Sequence, residues 1–337
     1  MACPECGDTL QPGAGALRCG NRHSFDIARQ GYVGLLTGAS TKMTGDTAAM
    51  LDARADFQSA GHFAPIADAV AQAFRFAHPA GYTPSAARQF DTLGNARPQG
   101  TPTLPNGPTV PSSAASPASA ASPNGPASPN GPASPNGPAS PADAGLLGGA
   151  VLEIGAGTGY YLAEVLEAHP GLLGIALDVA KPAARRAARA HPRLASILAD
   201  AWRGLPIRDD ALAGVLSVFA PRNPAEVARV LAPGGRFVVV TPTPRHLGEL
   251  IEPLGMVRVD PDKERRLDDA LSGTFTRIDH GVVEFPMKLS RGDVTNVVAM
   301  GPSAFHTTVG DDPRIAGLAD ITEVTASVTV ARYAPVG

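Results

Sequence analysis

The hydrophobic pattern is clearest between positions 149 and 178, where two apolar runs flank a segment with helical periodicity. The first run covers Ala150 to Ile154 and the second covers Leu172 to Leu177. Between them, apolar residues recur at i, i+1, i+4 and i+5 from Tyr161 onwards, which places them on one face of a helix. This order of strand, helix and strand predicts the first half of a nucleotide-binding α/β sheet.

The turn between the first strand and the helix has glycine at three alternate positions, Gly155, Gly157 and Gly159. Glycine lets the backbone approach a ligand closely and adopt torsion angles that a Cβ atom disfavours. The second strand ends in Asp178, whose carboxylate could accept hydrogen bonds from both hydroxyls of a ribose. A dinucleotide fingerprint starting at Gly155 would require glycine at position 160, but the chain has Tyr160 there.

The resulting pattern, an acidic residue at Glu153 followed by x-G-x-G-x-G, resembles motif I of the class I S-adenosylmethionine (SAM) methyltransferases. SAM has no pyrophosphate, so the third glycine of the dinucleotide motif is not required. The alternatives are a dinucleotide-binding Rossmann fold and a tight turn in some other α/β protein. On this resemblance, the cofactor-binding candidates of this stretch are Glu153, Gly155, Gly157, Thr158, Gly159 and Asp178.

Further apolar runs predict the rest of the sheet. The third to fifth strands are expected at Ala195 to Leu198, Leu212 to Phe219 and Arg236 to Thr241. Alternating patterns at Val282 to Leu289 and Glu323 to Tyr333 predict two antiparallel strands. The expected fold class is therefore α/β, with the seven-stranded Rossmann-like sheet and antiparallel C-terminal hairpin of class I SAM-dependent methyltransferases.

The ends of the third and fourth strands carry further candidates by the same resemblance. Asp200 and Ala201 would lie beside the adenine ring, although Asp200 could instead cap the following turn. Pro221, Arg222 and Asn223 form the candidate catalytic loop, because the end of the fourth strand faces the methyl group in this fold. The loop lacks the signature of an Asp or Asn followed by Pro-Pro and an aromatic residue, which disfavours methylation of exocyclic amines.

The composition of the whole chain limits the class of protein and its expected partners and compartment. The chain has 337 residues, 44% hydrophobic residues and a formal net charge of −3, which is typical of a soluble globular protein. The charge gives no global support for a nucleic-acid partner, so such a partner has to be argued locally. We expect no targeting segment and no membrane span, because no apolar run approaches the required length of roughly 18 residues. The cytoplasm is the expected compartment.

The N-terminal segment contains a set of candidate metal ligands, Cys3, Cys6, Cys19 and His23. The spacing C-x2-C-x12-C-x3-H presents two pairs of ligands, as a tetrahedral structural zinc site requires. The alternatives are a disulfide with one free thiol, and buried cysteines that cluster by chance. An odd number of cysteines in a cytosolic chain argues against the disulfide. We therefore predict a structural Zn²⁺ that holds a small ribbon together.

The ribbon continues into a segment from His23 to Leu36 that reads H-S-F-D-I-A-R-Q-G-Y-V-G-L-L. This combination resembles the bacterial 23S rRNA (guanine-N1)-methyltransferases, the RlmA-type family, which includes the tylosin-resistance methyltransferase of actinomycetes. The resemblance extends through G-H-F-x-P from Gly61 and T-P-x-P-R-H-L from Thr241. It covers roughly four-fifths of the chain.

The resemblance implies two further cofactor contacts, Phe63 and His246. Phe63 stands where many members have tyrosine, so that stacking on the cofactor could persist while a hydroxyl bond could not. Phe63 could equally serve only to cover the sheet. The resemblance also implies a guanine in a hairpin loop of 23S rRNA as the substrate, with the tylosin-type position favoured, and a homodimer that forms the RNA cleft.

Composition changes sharply between the two halves. From about Tyr82 to Asp143 the chain consists mostly of Ala, Ser, Pro, Asn and Gly, with S-P-N-G-P recurring at a six-residue period. Such a tract lacks the apolar surface that offsets the entropy of ordering. We predict a zinc-ribbon RNA-recognition domain at 1–38, a helical connection at 39–81, a disordered insert at 82–146 and a methyltransferase domain at 147–337.

These observations predict a SAM-dependent transfer of a methyl group to N1 of a guanine in 23S rRNA, with macrolide resistance as a possible consequence. Two alternatives remain open at this point. One is a small-molecule methyltransferase of an antibiotic pathway, in which the ribbon is only structural. The other is a catalytically inactive zinc-ribbon module that binds RNA or protein.

Overall fold

Central strands of the sheet come from apolar runs that are buried on both faces, as parallel strands covered by helices require. The structure, a computed structural model, describes residues 1–37, 41, 43–75, 149–301 and 312–336, which belong to one compact unit. The strands are β1 (Gln11–Gly13), β2 (Ala16–Arg18), β3 (Ser24–Asp26), β4 (Tyr32–Gly34), β5 (Ala150–Ile154), β6 (Leu173–Asp178), β7 (Leu194–Leu198), β8 (Leu212–Val218), β9 (Leu231–Pro242), β10 (Phe275–Ser290) and β11 (Ile321–Pro335). The helices are α1 (Ala48–Ser59), α2 (Ala64–Ala73), α3 (Tyr160–Ala168), α4 (Lys181–Ala187), α5 (Pro224–Val230), α6 (Gly248–Leu254), α7 (Lys263–Leu271), α8 (Arg291–Ala299) and α9 (Pro313–Ala316), with a short 3₁₀ helix at Ala201–Arg203.

The large sheet has the strand order β10-β11-β9-β8-β5-β6-β7-β4. Strands β4 to β9 pair in parallel, whereas β11 pairs antiparallel with both β9 and β10. The chain order reverses at β5, which lies between β6 and β8. In sheets of this type, ligands bind outside the carboxyl ends of the strands at such a switch point.

The predicted fold class is confirmed, with differences in detail. Strand β9 begins at Leu231, five residues before the predicted start at Arg236. The sheet has one strand more than the seven expected, because β4 from the N-terminal segment adds to β7. The two C-terminal strands are also longer than their alternating patterns indicated. They pair with each other from Phe275 opposite Pro335 to Ser290 opposite Ile321, with one register shift between Arg277 and Asp279, so antiparallel pairing continues beyond the apolar alternation.

The N-terminal segment folds as a small antiparallel sheet, β1-β2-β3, and then joins the large sheet. The Leu35 amide donates to the Leu198 carbonyl at 2.9 Å, and the Ala2 amide donates to the Pro206 carbonyl at 2.9 Å. Leu10 and Val33 belong to the same apolar cluster as the strands of the large sheet. The ribbon and the catalytic sheet therefore share part of one hydrophobic core.

Helices cover both faces of the sheet. Phe57 on α1 and Ile66 on α2 pack with α3 and α8 in one apolar cluster, and Val227 on α5 packs with Leu271 on α7 in the other. The predicted insert at 82–146 and the predicted boundary at 38–39 both lie outside the described residues. Within the described ranges, no helix combines the length and the apolar character that a membrane crossing demands.

Candidate cofactor pocket and metal centre

The glycine turn after β5 has a geometry that only glycine adopts without strain. Gly155, Gly157 and Gly159 have φ angles of 68°, 53° and 78°. A Cβ atom on Gly155 would lie 2.7 Å from the Cβ atom of Ala220, and one on Gly157 would lie 2.9 Å from Nη1 of Arg54. The turn is therefore closely packed by other elements as well as left-handed, which explains glycine at these positions.

Asp178 at the end of β6 holds this turn in place. Its Oδ2 atom accepts a hydrogen bond from the Gly157 amide at 2.9 Å, and its Oδ1 atom accepts one from the Ala180 amide at 2.8 Å. Burial raises the pKa of Asp178, while the two amide donors oppose this rise. A carboxylate in this position can brace the loop and still present lone pairs to a ligand.

Glu153 lies inside the end of β5 and is only 2% exposed. Its Oε2 atom accepts a hydrogen bond from the Leu162 amide in the first turn of α3, at 3.3 Å. Burial raises the pKa of Glu153 to about 8, and the nearby charge of Asp178 contributes to the rise. The carboxyl group is therefore largely protonated at neutral pH in the protein without a ligand.

Thr158 and Gly159 connect the turn to its surroundings. The Thr158 hydroxyl donates to Oε1 of Gln58 at 2.7 Å, and both side chains are buried. Gly159 is the N-cap residue of α3, and a Cβ atom there would lie 2.9 Å from the Cβ atom of Ala190. Neither Gly157 nor Gly159 lines the cavity described below, so they act on its shape through the backbone.

Asp200 follows β7, where it caps the following turn and also lines the cavity described below. Its Oδ1 atom accepts a hydrogen bond from the Trp202 amide at 3.0 Å, which caps the short helix at Ala201–Arg203. Its Oδ2 atom accepts a hydrogen bond from the Thr41 hydroxyl at 2.6 Å. Asp200 thus joins the segment after the ribbon to the rim of the sheet, while it also lines the cavity.

Phe63 and His246 lie side by side, with their ring centroids 6.0 Å apart. The Ser327 amide donates to Nδ1 of His246 at 3.1 Å, so that the neutral ring carries its proton on Nε2. Burial, together with the charge of Lys263, lowers the pKa of His246 to about 4. His246 is therefore a neutral hydrogen-bond donor across the physiological range.

The loop of Pro221, Arg222 and Asn223 does not supply a general base. Asn223 is the N-cap residue of α5, and its Oδ1 atom accepts a hydrogen bond from the Glu226 amide at 3.5 Å. Arg222 is a partly buried cation, and its Nη1 atom has no hydrogen-bond partner among the described residues. Phe219, just before the loop, has a φ angle of 56° and is 42% exposed.

A cavity of about 800 Å³ opens where these elements meet, at the carboxyl ends of the parallel strands. Its walls include most of the predicted site residues, namely Phe63, Glu153, Gly155, Thr158, Asp178, Asp200, Ala201, Pro221 and His246. Buried carboxylates on one side and aromatic side chains nearby fit a nucleoside with a charged sulfonium group. Arg222 and Asn223 are not among the lining residues.

Arg54 on α1 is a cavity residue to which sequence reasoning assigned no role. It forms an ion pair with Asp46 at 2.5 Å and donates to the Met300 carbonyl at 2.9 Å, directly over Gly157. The A-R-x-x-F pattern around Arg54 was visible in the sequence, but nothing there showed which loop the side chain reaches. Trp202 also lines the cavity and is 50% exposed.

The four predicted zinc ligands come together at the ribbon. Their ligand atoms all lie within 4.8 Å of one another. The Sγ atoms of Cys6 and Cys19 are 3.7 Å apart, and Nδ1 of His23 lies 3.5 Å and 3.4 Å from the Sγ atoms of Cys3 and Cys19. Tetrahedral zinc with ordinary bond lengths separates two sulfurs by about 3.8 Å and a sulfur from a nitrogen by about 3.6 Å. The residues present therefore fit Zn²⁺.

The side chain of Asp8 braces the two halves of this centre. Its Oδ2 atom accepts a hydrogen bond from the Gly20 amide at 2.9 Å, next to Cys19. Its Oδ1 atom accepts one from the Thr9 amide at 2.7 Å. With four protein ligands the metal has no open coordination position, so the centre is structural.

Comparisons with known proteins bear on the ribbon and on the family of the chain. A zinc-ribbon family model described as "RlmA, N-terminal" matches residues 1–40. The chain is 40% identical to a protein of Micromonospora griseorubida provisionally named 23S rRNA (guanine-N(1)-)-methyltransferase, over 100% of this chain and 97% of that protein. It is 38% identical to the 23S rRNA (guanine(748)-N(1))-methyltransferase of Streptomyces fradiae, over 98% of this chain and 94% of that enzyme.

Among solved structures, the chain is similar to a SAM-dependent methyltransferase from Geobacter sulfurreducens in complex with S-adenosyl-L-homocysteine. The identity is 16% and the TM-score is 0.36, over 56% of this chain and 85% of that one. Full-length identity to the two curated relatives, together with the matched ribbon, defines the family. The chain belongs to the bacterial 23S rRNA (guanine-N1)-methyltransferases.

Proposed function

We propose that this protein transfers the methyl group of SAM to N1 of a guanine in 23S rRNA, at the position equivalent to the guanine 748 named for the Streptomyces fradiae relative. The observation that supports this most directly is the cavity of about 800 Å³, which Glu153, Asp178 and Asp200 line from three neighbouring strand ends. The substrate class follows from the family to which the chain belongs. A link to macrolide resistance is part of the same proposal.

The roles of the cofactor residues follow from their positions. When bound, SAM supplies an electrophilic methyl group on a sulfonium. We assign Asp178 to the ribose hydroxyls, because it ends β6 and already braces the glycine turn. Asp200 and Ala201 would lie beside the adenine at the end of β7. Phe63 and His246 would border the methyl group, with Nε2 of His246 as a donor.

The reaction needs positioning more than it needs acid–base chemistry. A nucleophile held in line with a bound methyl group gains most of its rate from proximity and orientation. The proton on N1 has to leave, and neither Pro221 nor Asn223 has a basic side chain that could accept it. We therefore leave the general base unassigned within this loop.

Access to N1 restricts the RNA that can react. N1 of guanine is buried in a Watson–Crick pair, so the target base has to lie in an exposed loop, from which it can be unstacked into the cavity. We propose a hairpin loop of 23S rRNA for this reason. A homodimer that forms the RNA cleft, and a cytoplasmic location beside the ribosome, complete the proposal.

The test is methylation of bare 23S rRNA by the purified full-length protein with labelled SAM, followed by primer extension. Methylation at N1 blocks the Watson–Crick edge, so we expect a single reverse-transcriptase stop, at the equivalent of guanine 748. A stop at another guanine would correct the position. Bound SAM without a stop or incorporated label would favour the small-molecule enzyme, and the absence of SAM binding would favour the inactive module.

The variant Asp178→Ala tests the assignment of the ribose site. We expect the SAM affinity measured by calorimetry to fall by at least about 100-fold, because the variant loses two charge-assisted hydrogen bonds of the ribose. Asp320→Ala removes a carboxylate that is 92% exposed and should leave both binding and methylation unchanged. Unchanged SAM affinity in a folded Asp178→Ala variant would show that the ribose site is misplaced.

A further inference from the structure

The cavity has an exposed apolar rim. Among the described residues, the large hydrophobic side chains that are exposed and also line the cavity are those of Met43, Trp202, Phe219 and Val257. Single exposed hydrophobic residues are common on protein surfaces, whereas a group of them around one cavity marks a place where a ligand binds. Two of the four are aromatic, and aromatic side chains stack on nucleobases.

Phe219 has a backbone conformation that is rare for a bulky residue. Its φ angle of 56° lies in the left-handed region, which a Cβ atom disfavours. On one side, its amide donates to the carbonyl of Val240 on β9 at 3.1 Å. On the other side, the next residue, Ala220, packs so closely on the glycine turn that a Cβ atom on Gly155 would lie 2.7 Å from that of Ala220. Contacts with two neighbouring elements therefore hold the backbone around Phe219 in place.

This strain does not serve to bury the ring of Phe219. A conformation adopted for packing would place the side chain in the core, yet Phe219 is 42% exposed and lines the cavity. Backbone strain of this kind clusters at ligand-binding positions, where it fixes the direction of a side chain. The outlier therefore indicates a ligand for the ring.

The ring of Phe219 is the exposed end of a row of three rings. Its centroid lies 5.8 Å from that of His246, with an angle of 35° between the two ring planes. The centroid of His246 in turn lies 6.0 Å from that of Phe63, which is buried. Because the proposed function assigns Phe63 and His246 to the surroundings of the methyl group, Phe219 borders the same region from its exposed side.

Two flat heterocycles take part in the proposed reaction, the adenine of SAM and the target guanine. The assignments of Asp178 and Asp200 put the ribose and the adenine at the ends of β6 and β7. Trp202 lies on this side, next to Asp200. Strand β5 separates β6 and β7 from β8, at the end of which Phe219 lies. The strand order therefore favours the guanine over the adenine as the partner of Phe219.

We propose that Phe219 stacks on the target guanine after this base has been extruded from the hairpin loop. This inference rests on the proposed function. Stacking covers one face of the base and leaves its Watson–Crick edge free, so that N1 can still point at the methyl group. Phe219 thus binds and orients the acceptor base, and it takes no part in proton transfer.

The experiment measures the affinity of the full-length protein for two synthetic RNA hairpins, with S-adenosyl-L-homocysteine present so that no methyl transfer occurs. One hairpin contains the guanine located by primer extension, and the other is abasic at that position. Phe219→Leu removes the ring but keeps the backbone strain, since leucine is disfavoured in the left-handed region as well. We expect this variant to bind the guanine hairpin about tenfold more weakly than wild type, and the abasic hairpin equally well.

Two further variants serve as controls. Phe219→Tyr keeps an aromatic face and should bind both hairpins as wild type does. Ile278→Ala should also retain both affinities, because Ile278 is 46% exposed and does not line the cavity. The SAM affinity of Phe219→Leu by calorimetry should equal that of wild type, which verifies that the cofactor pocket is folded.

Three results would overturn the stacking role. An equal loss of affinity for both hairpins in Phe219→Leu would show that the ring shapes the rim without contacting the base. A lowered SAM affinity with an unchanged ratio of the two hairpin affinities would assign the ring to the cofactor. Wild-type affinity of Phe219→Leu for both hairpins would show that the ring does not contact the RNA. A wild-type protein that binds SAM but leaves 23S rRNA unmethylated would refute the proposed function, and the role of Phe219 with it.

Discussion

At the scale of single residues, Glu153 shows how a motif position can serve structure and ligand binding together. Its carboxyl group is enclosed by the strand end and α3, and the Leu162 amide is the one donor that the structure shows for it among the described residues. One hydrogen bond does not offset the loss of water around a carboxylate, so the acid form is favoured. A cationic sulfonium nearby would favour the ionised form instead.

Glu153→Gln should therefore change the pH dependence of stability. The pKa of Glu153 is raised from its ordinary value of 4.5 to about 8 in the folded protein. The folded state thus holds the proton more tightly, and stability is lost as the pH rises from 4.5 towards 8. Glutamine cannot ionise, so the Tm of the variant minus that of wild type should increase over this range in thermal denaturation.

The matched control for this measurement is Glu252→Gln, because Glu252 is exposed on α6. Its Tm difference from wild type should stay constant with pH. A constant difference for Glu153→Gln as well would show that Glu153 is ionised in the folded protein without SAM.

At the scale of elements, the ribbon depends on its metal centre more than on its strands. Strands β1, β2 and β3 have three residues each, and all of β1 is exposed. So little buried apolar surface cannot hold a separate fold together. The four metal ligands, with the side chain of Asp8 that braces them, hold the ribbon together instead.

Removal of zinc should unfold the ribbon and weaken the edge of the large sheet. With a chelator, or in Cys19→Ser, we expect the Tm to fall by about 5 °C or more, because metal binding is coupled to folding. Amide hydrogen exchange should lose protection in β1 to β4, while β5 and β8 in the centre of the sheet keep theirs. Ser24→Ala, at an exposed site on β3, is the control and should melt as wild type does. Retained protection in β1 to β3 without zinc would contradict a structural metal.

At the scale of the whole molecule, the ribbon is part of the catalytic body. Strand β4 pairs with β7 over Tyr32–Gly34, directly before the segment that reaches Asp200 through Thr41. A shift in the position of the ribbon can therefore be transmitted through the edge strand β4 to Asp200, on the cofactor side of the cavity. The predicted domain division at 1–38 and 147–337 stays a prediction, while the described residues form one compact unit.

The insert predicted at 82–146 stays a prediction, because it lies outside the described residues. Its composition lacks the apolar surface needed for a core, so replacing it with a short Gly-Ser linker should leave the Tm and the SAM affinity unchanged. A Gly-Ser linker of the same length as the insert is the control for chain length, since the entropy of loop closure changes slowly with length. A large loss of SAM affinity with both linkers would show that the insert contributes to the cofactor site.

Local patterns were enough to identify the features that depend on neighbours in the sequence. The strand, glycine turn and helix around Gly155, the acidic end of β6 at Asp178 and the spacing of the four zinc ligands each follow from periodicity or from ligand geometry within a few turns of chain. These features can be predicted because steric limits on the backbone and metal coordination act between residues that are close in the sequence.

Only the tertiary structure decided which distant segments meet. Pairing of β4 with β7 joins residues 164 positions apart, such as Tyr32 and Ser196, and packing places Arg54 over Gly157. The same packing brings Phe63 and His246 to a ring-centroid distance of 6.0 Å, although 183 positions separate them in the sequence. The sequence by itself determined the class of chemistry, since its motifs are local. The grouping of residues around the cavity came from long-range packing, which no local pattern records.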